Sequence, residues 1–179
     1  MNNLKPINLD NGVIQIHPLR TSDLFRHNLI VDDLYEIFGD EATLPYNSEK
    51  IVKDKNTIST QLLGVTIGYE QQISYTHFLT LKENNKIIGE IIILSPKNVQ
   101  LAYKIKDTWI IEYFLNKKYW NKGIMTGVIS AIANIMKINK INKIGALVDR
   151  NNLSSIRVLE KVGFRKICSF DLKQDYFEI

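Results

Sequence analysis

An α+β fold is predicted for this chain: a mixed, mainly antiparallel sheet of six to seven strands flanked by helices. Three observations predict it. The length, 179 residues with 45% apolar and 23% charged side chains, suits one soluble domain with a sizeable core. Between Ile73 and Leu115 apolar residues recur with a period of two, in runs separated by short polar turns. After Gly123 helical and strand periods alternate, the grammar of a β-α-β-α-β unit. No repeat, linker or low-complexity stretch divides the chain, so residues 1–179 are read as a single domain.

The elements follow in order. Residues 13–20 alternate apolar positions and read as a strand, after which Thr21, Ser22 and Asp23 offer N-cap side chains. The helix they open runs through Leu34, Ile37 and Phe38 to Gly39. Residues 40–47, with Pro45, read as a loop. Ser48 with Glu49 is expected to open a second long helix through Ile51, Ile58, Leu62 and Leu63, with Gly64 and Gly68 near its far end. In the next strand Tyr75, His77, Leu79 and Leu81 share one face, and Glu83-Asn84-Asn85-Lys86 supplies a tight turn. Residues 87–94 form a more buried strand, ended by Ser95-Pro96. A pairing strand at 99–105 is expected to turn at Lys106-Asp107 into another at 108–115. The helix from Gly123 to Ile138 carries Met125, Val128, Ile129, Ile132, Ile135 and Met136 at helical spacing. A short strand at 144–148, a helix at 152–161 ended by Gly163, a strand at 164–172 and an edge strand at 176–179 complete the chain.

Composition excludes several classes. Nine glycines, four prolines and abundant isoleucine and leucine exclude collagen-like and disordered chains. The longest apolar runs fall well short of the roughly 20 residues of a membrane span, and no signal peptide is apparent. A net charge of +4 is too small and too scattered to name a partner. Cys168, the single cysteine, is expected to be a packed small side chain and points to a reducing, cytoplasmic compartment. His17, His27 and His77 lie on separate elements without metal-ligand spacing, so no metal site is expected. Phosphate-loop, dinucleotide and serine-hydrolase motifs are absent from the sequence.

Two stretches carry chemistry. From Tyr113 to Thr126 a buried strand passes through a basic loop into the start of an amphipathic helix, with Gly123 at the turn. Orphan N–H groups and the helix dipole at such a start suit a pyrophosphate, and Lys117, Lys118 and Lys122 add positive charge. The same residues also suit a plain strand-to-helix connection with solvated lysines. From Asp149 to Phe164, Asn152 and Ser155 stand at a helix start, where such residues often serve as caps.

Together the stretches resemble the acyl-CoA-binding core of the GNAT N-acetyltransferase superfamily, and most closely its branch of ribosomal-protein N-terminal acetyltransferases and small-substrate relatives. The matching residues are Tyr113, Leu115, Trp120-Asn121-Lys122-Gly123-Ile124-Met125-Thr126, then Asn152, Ser155 and Val158-Leu159-Glu160-Lys161-Val162-Gly163-Phe164. Leu19-Arg20, Asp23 and Lys86-Ile87-Ile88-Gly89-Glu90 extend the likeness over nearly the whole chain. Two positions depart from the branch: its Thr-Glu-Ala is Thr126-Gly127-Val128 here, and the tyrosine that some members place before Glu-Lys is Leu159.

The resemblance implies acetyl-CoA in a V-shaped opening between the strands at 108–115 and 144–148. Pantetheine amides would meet backbone near Phe114 and Leu115, with the pyrophosphate on N–H groups from Asn121 to Thr126. Trp120, Asn121, Lys122, Gly123, Ile124, Met125, Thr126, Asn152 and Ser155 join Phe114 and Leu115 as the expected acyl-CoA-binding set. Ser155 is the candidate acid for the departing thiolate, with Asn152 orienting it or binding CoA. Glu112, beside the expected carbonyl, is the candidate base, although an outward-facing strand residue or a water relay fits as well. The expected partners are acetyl-CoA and an amine acceptor, a small molecule or a protein N-terminus; no membrane or nucleic acid is expected, and a homodimer is left open. Two other readings remain at this point: a non-catalytic acyl-CoA sensor and a small basic nucleic-acid-binding protein, for which Lys117-Lys118-Tyr119-Trp120 is the one hint.

Overall fold

The computed structural model describes residues 4–179. Its strands are β1 (Leu9–Asp10), β2 (Ile14–His17), β3 (Ser74–Leu81), β4 (Ile87–Leu94), β5 (Trp109–Leu115), β6 (Ile144–Asp149), β7 (Arg165–Ser169) and β8 (Gln174–Glu178). They lie in the order β1-β2-β3-β4-β5-β6-β8-β7. The β5–β6 pair is parallel, whereas β1–β2, β2–β3, β6–β8 and β7–β8 are antiparallel. The helices are α1 (His27–Phe38), α2 (Lys55–Glu70), α3 (Pro96–Tyr103), α4 (Ile124–Ile138) and α5 (Leu153–Val162). The mixed α+β architecture is as expected, with eight strands because the two-residue β1 adds to β2.

Two compact units can be described. One comprises Lys5–Ile92 with Tyr113–Trp120. Its core joins Ile30, Leu34, Ile37 and Phe38 of α1 and Ile58 and Leu62 of α2 to Phe78, Ile87 and Phe114 of the strands. The helix expected from Thr21 onward is in two parts: a 3-10 turn at Thr21–Arg26, where the Asp23 carboxylate accepts from the Arg20 N–H at 2.8 Å, and then α1 from His27. At its end, any side chain at residue 39 would meet the Tyr35 carbonyl at 2.7 Å, so glycine closes the helix. The second helix does not open at Ser48. Residues 48–50 form one short 3-10 turn, and α2 begins only where Asp54 accepts from the Thr57 N–H at 3.0 Å.

The other unit comprises Leu4, Ile93–Glu112 and Asn121–Ile179. The strand expected at 99–105 is here the helix α3. Pro96 stands at the first helical position after Ser95, Val99 is buried while Leu101 is exposed, and Lys104 closes the helix with a positive φ of 62°. The alternation of Val99, Leu101, Tyr103 and Ile105 imitates a strand, but proline fixes the backbone in favour of the helix. The terminal strand is also relocated: β8 lies inside the sheet between β6 and β7, and β7 forms the edge. All five β7 residues are exposed, Cys168 among them, so this cysteine is not the packed side chain expected.

His77 on β3 is fully buried. The Ile7 N–H can only donate, and it reaches Nε2 at 3.0 Å; Nδ1–H therefore donates to the Tyr75 carbonyl at 3.1 Å. The Tyr69 hydroxyl also donates to Nε2, at 2.9 Å. Burial pushes the imidazole down to about 4. Because the unfolded chain binds this proton near its ordinary 6.5, the stability tied to neutral His77 is complete above that pH. It is lost as pH falls to about 4, by about 1.4 kcal/mol per pH unit. Equilibrium unfolding between pH 7 and 4 is expected to show this decline, and His77→Gln a shallower one; identical slopes would refute the assignment.

Candidate functional site

Within the second unit, β5 and β6 share the register Trp109↔Ile144 and Ile110↔Gly145, at the N-terminal ends of both strands. From there β6 keeps its pairing with β8 as far as Asp149↔Gln174. Ile111 and Glu112 thus lie past the last residue that β5 pairs with β6. A side chain at position 145 would meet the Tyr176 ring at 2.5 Å, so the last paired position of β6 requires glycine. Arg150, just after β6, holds the β7–β8 turn. Its guanidinium donates to the carbonyls of Leu172 (2.9 Å) and Asp171 (2.6 Å), and to the Asp175 carboxylate at 2.8 Å. The two cations beside it, Lys166 and Arg150, hold Asp175 down at about 2.

Helix α4 begins at Gly123, whose φ of 73° is left-handed and whose Cβ position has no atom within 4 Å. Asn121 is also left-handed, at φ 60°, whereas Lys122 is not. Such alternation of hand gathers successive N–H groups into a concave, anion-attracting set. The first α-helical bond of this end is Gly127 N–H to the Gly123 carbonyl at 3.1 Å, and Gly123 supplies no side-chain cap. The N–H groups of Ile124, Met125 and Thr126 therefore precede any intrahelical acceptor. Met125 buries its side chain in the core, Ile124 and Thr126 are half-buried, and Asn121, Lys122 and Gly123 are exposed. On α5, Asn152 Oδ1 accepts from the Ser155 N–H at 3.1 Å, and both residues are half-buried. Asn152 is thus the helix cap, and its cap holds the backbone of Ser155.

Glu112 is half-buried and accepts from the Tyr103 hydroxyl at 3.1 Å. Sequence reasoning missed Tyr103 because it read 99–105 as a strand; the signal available was Ser95-Pro96, a helix start.

In the first unit, Phe114 turns its ring into the α1–α2 core, edge-on to Phe38 at 5.1 Å. Its carbonyl lies 2.7 Å from where a Gly89 side chain would begin, so its backbone faces β4. By the alternation of a strand, Tyr113 and Leu115 present their backbone groups to the other edge of β5. The Leu115 carbonyl there accepts from the Trp120 indole N–H at 2.7 Å, which anchors Trp120. The Phe114 side chain is thus part of the core, and its backbone faces β4. The lysines of the loop need a correction. Lys117 pairs with Asp40 at 2.8 Å and Lys118 with Glu36 at 3.3 Å, so two of the three charges expected near the loop are engaged by α1 and its end. Hydrogen bonding from Lys86, opposed by burial and joined by Lys118, holds the Glu36 carboxyl below its ordinary range.

The histidines occupy three environments. His17 and His77 are buried, His17 against the Thr80 hydroxyl at 2.8 Å, whereas His27 is exposed beside Ser59. Among the described residues no group of three or more histidine, cysteine, aspartate or glutamate side chains is placed to hold a metal, and no helix is long and apolar enough to cross a membrane.

Comparison with known proteins adds the following. The family model described as an acetyltransferase (GNAT) domain matches residues 16–165. No curated protein matches the sequence. Among solved structures, a GNAT-family acetyltransferase from Bacillus anthracis is similar with a TM-score of 0.72 at 19% identity, covering 97% of this chain and 98% of that one. The ribosomal-protein-S5-alanine acetyltransferase of Vibrio fischeri gives 0.68 at 16% identity, covering 97% and 96%. RimL, a ribosomal L7/L12 alpha-N-protein acetyltransferase, gives 0.68 at 12%, covering 97% and 94%. At these identities the likeness is one of fold.

Gly127 lies exposed in the first turns of α4, with no atom within 4 Å of its Cβ position. Gly127→Ala is therefore expected to stabilise the protein by about 1 kcal/mol, since alanine removes backbone freedom at no steric cost. Thermal unfolding checks this; a midpoint that falls would show an unseen constraint at that position.

Proposed function

The chain belongs to the GNAT acetyltransferase family, and from that premise we propose that it moves an acetyl group from acetyl-CoA to a primary amine in a ternary complex. The observation that carries the proposal is the left-handed, uncapped start of α4 at Gly123. A pyrophosphate on the N–H groups of Gly123 to Thr126 would meet the positive end of the helix dipole, with Lys122 beside it. The pantetheine amides are assigned to the edge of β5 that follows Ile110. A backbone N–H of β5 is assigned to the oxyanion that forms as the amine attacks the thioester.

Proton transfer follows from charge balance. The amine must be neutral to attack, and it gives up a proton as the C–N bond forms. Glu112 is assigned to take it. As the C–S bond breaks, Ser155 is assigned to protonate the thiolate, its backbone held by the Asn152 cap. Leu159 offers no hydroxyl for that step, which supports the serine. Orientation of the two substrates alone can lower the barrier by about 7–11 kcal/mol. The acceptor is a protein N-terminus or a small amine; two of the similar structures are named for ribosomal proteins, which favours the former as the first class to try. The single, exposed Cys168 fits a reducing compartment, and the cytoplasm is the proposed location.

The test is thiol release from acetyl-CoA across a panel of amines and N-terminal peptides. Turnover with at least one acceptor is expected. CoA binding without turnover on any amine would turn the reading to a sensor, and a thermal shift with oligonucleotides but not with CoA would reject it. Ser155→Ala is expected to lower kcat by about 100-fold with CoA affinity within about twofold of the parent. An unchanged rate would remove Ser155 from the role of acid.

A further inference from the structure

We propose that Tyr103, at the C-terminal end of α3, is the positioning residue for Glu112. The inference rests on the reading above, in which Glu112 takes the proton of the amine. Three observations place Tyr103 there. Its hydroxyl donates to Glu112 Oε1 at 3.1 Å. Its ring stands edge-on to Phe170, with centroids 6.1 Å apart and planes at 74°. The chain reverses directly after it: Lys104 is left-handed at φ 62°, and its N–H donates to the Gln100 carbonyl at 3.2 Å. The helix end and the ring contact thus fix the phenol, and the phenol in turn fixes the carboxylate.

The chemistry gives this arrangement a purpose. A carboxylate at the end of a three-carbon side chain samples several rotamers, and only some of them bring an oxygen to the amine. A hydroxyl donor on one oxygen restricts that choice. The tyrosine keeps its own proton throughout. The proton of the amine passes to Glu112 as the C–N bond forms; the C–S electron pair leaves on the CoA sulfur, which takes a proton from Ser155 as the serine regains one from solvent, and Glu112 later releases its proton to solvent. Tyr103 therefore acts through Glu112 and touches no reacting atom. The rest of α3 serves this placement: Pro96 starts the helix, Val99 anchors it in the core and Tyr103 ends it beside β5.

Tyr103→Phe keeps the ring contact with Phe170 and removes only the hydroxyl. With the acceptor found by thiol release, this variant is expected to lower kcat by about tenfold, the loss of one charge-assisted hydrogen bond. The KM for acetyl-CoA and the thermal midpoint are expected to stay close to those of the parent. In a Glu112→Gln background the same change is expected to have little further effect, because the carboxylate it positions is gone. A packing role would instead move the midpoint, or lower kcat equally in both backgrounds. An unchanged kcat in Tyr103→Phe, or equal losses in the two backgrounds, overturns the proposal while leaving acetyl transfer intact. If the parent transfers acetyl to no amine at all, the reading beneath the proposal falls and takes it along.

Discussion

Strands β5 and β6 share only the pairs Trp109↔Ile144 and Ile110↔Gly145, and this short parallel register is the constraint on which the candidate site depends. A parallel pair continued to the strand ends would occupy the backbone edge that follows Ile110. On its other edge β6 pairs with β8, through five antiparallel pairs from Gly145 to Asp149. Gly145 pairs on both edges, and the Tyr176 ring of β8 occupies the space where a side chain there would begin. Arg150 then fastens the turn that leads into β8.

The site also depends on where charge is neutralised. The loop before α4 has three lysines, but the carboxylates Glu36 and Asp40 hold Lys118 and Lys117. Such exposed pairs add little to stability, on the order of 0–1 kcal/mol each. Their effect is directional: they tie Lys117 and Lys118 to α1 and its end. The positive end of α4, set by left-handed Asn121 and Gly123, then matters more than the number of lysines.

What could be read from sequence was local. Gly123 and Gly163 both adopt the left-handed backbone that their positions next to helices imply, and Asn152 caps α5 through the Ser155 N–H as its type and place predict. Those residues carry their geometry in their own chemistry, so the motif-bearing half of the chain was legible. What could not be read was the choice between local signals, or any pairing across distance. The 99–105 segment alternates like a strand, and only the proline at its start outweighs that pattern. Ser48-Glu49 and Asp54 both offer caps, and packing of Ile58 and Leu62 selects the second. The position of β8 inside β7 is a property of the β6–β8 ladder, which no local pattern encodes. Tyr103 was hidden for the same reason, since its contact with Glu112 exists only once α3 is a helix.

The central claim is that the left-handed start of α4 receives the pyrophosphate of acyl-CoA. Backbone amide NMR during titration with acetyl-CoA tests it most directly, because it reads each N–H group separately and needs no acceptor. The account predicts the largest shifts at Gly123, Ile124, Met125 and Thr126. Saturable shifts confined to other elements, or none at millimolar acetyl-CoA, would contradict it.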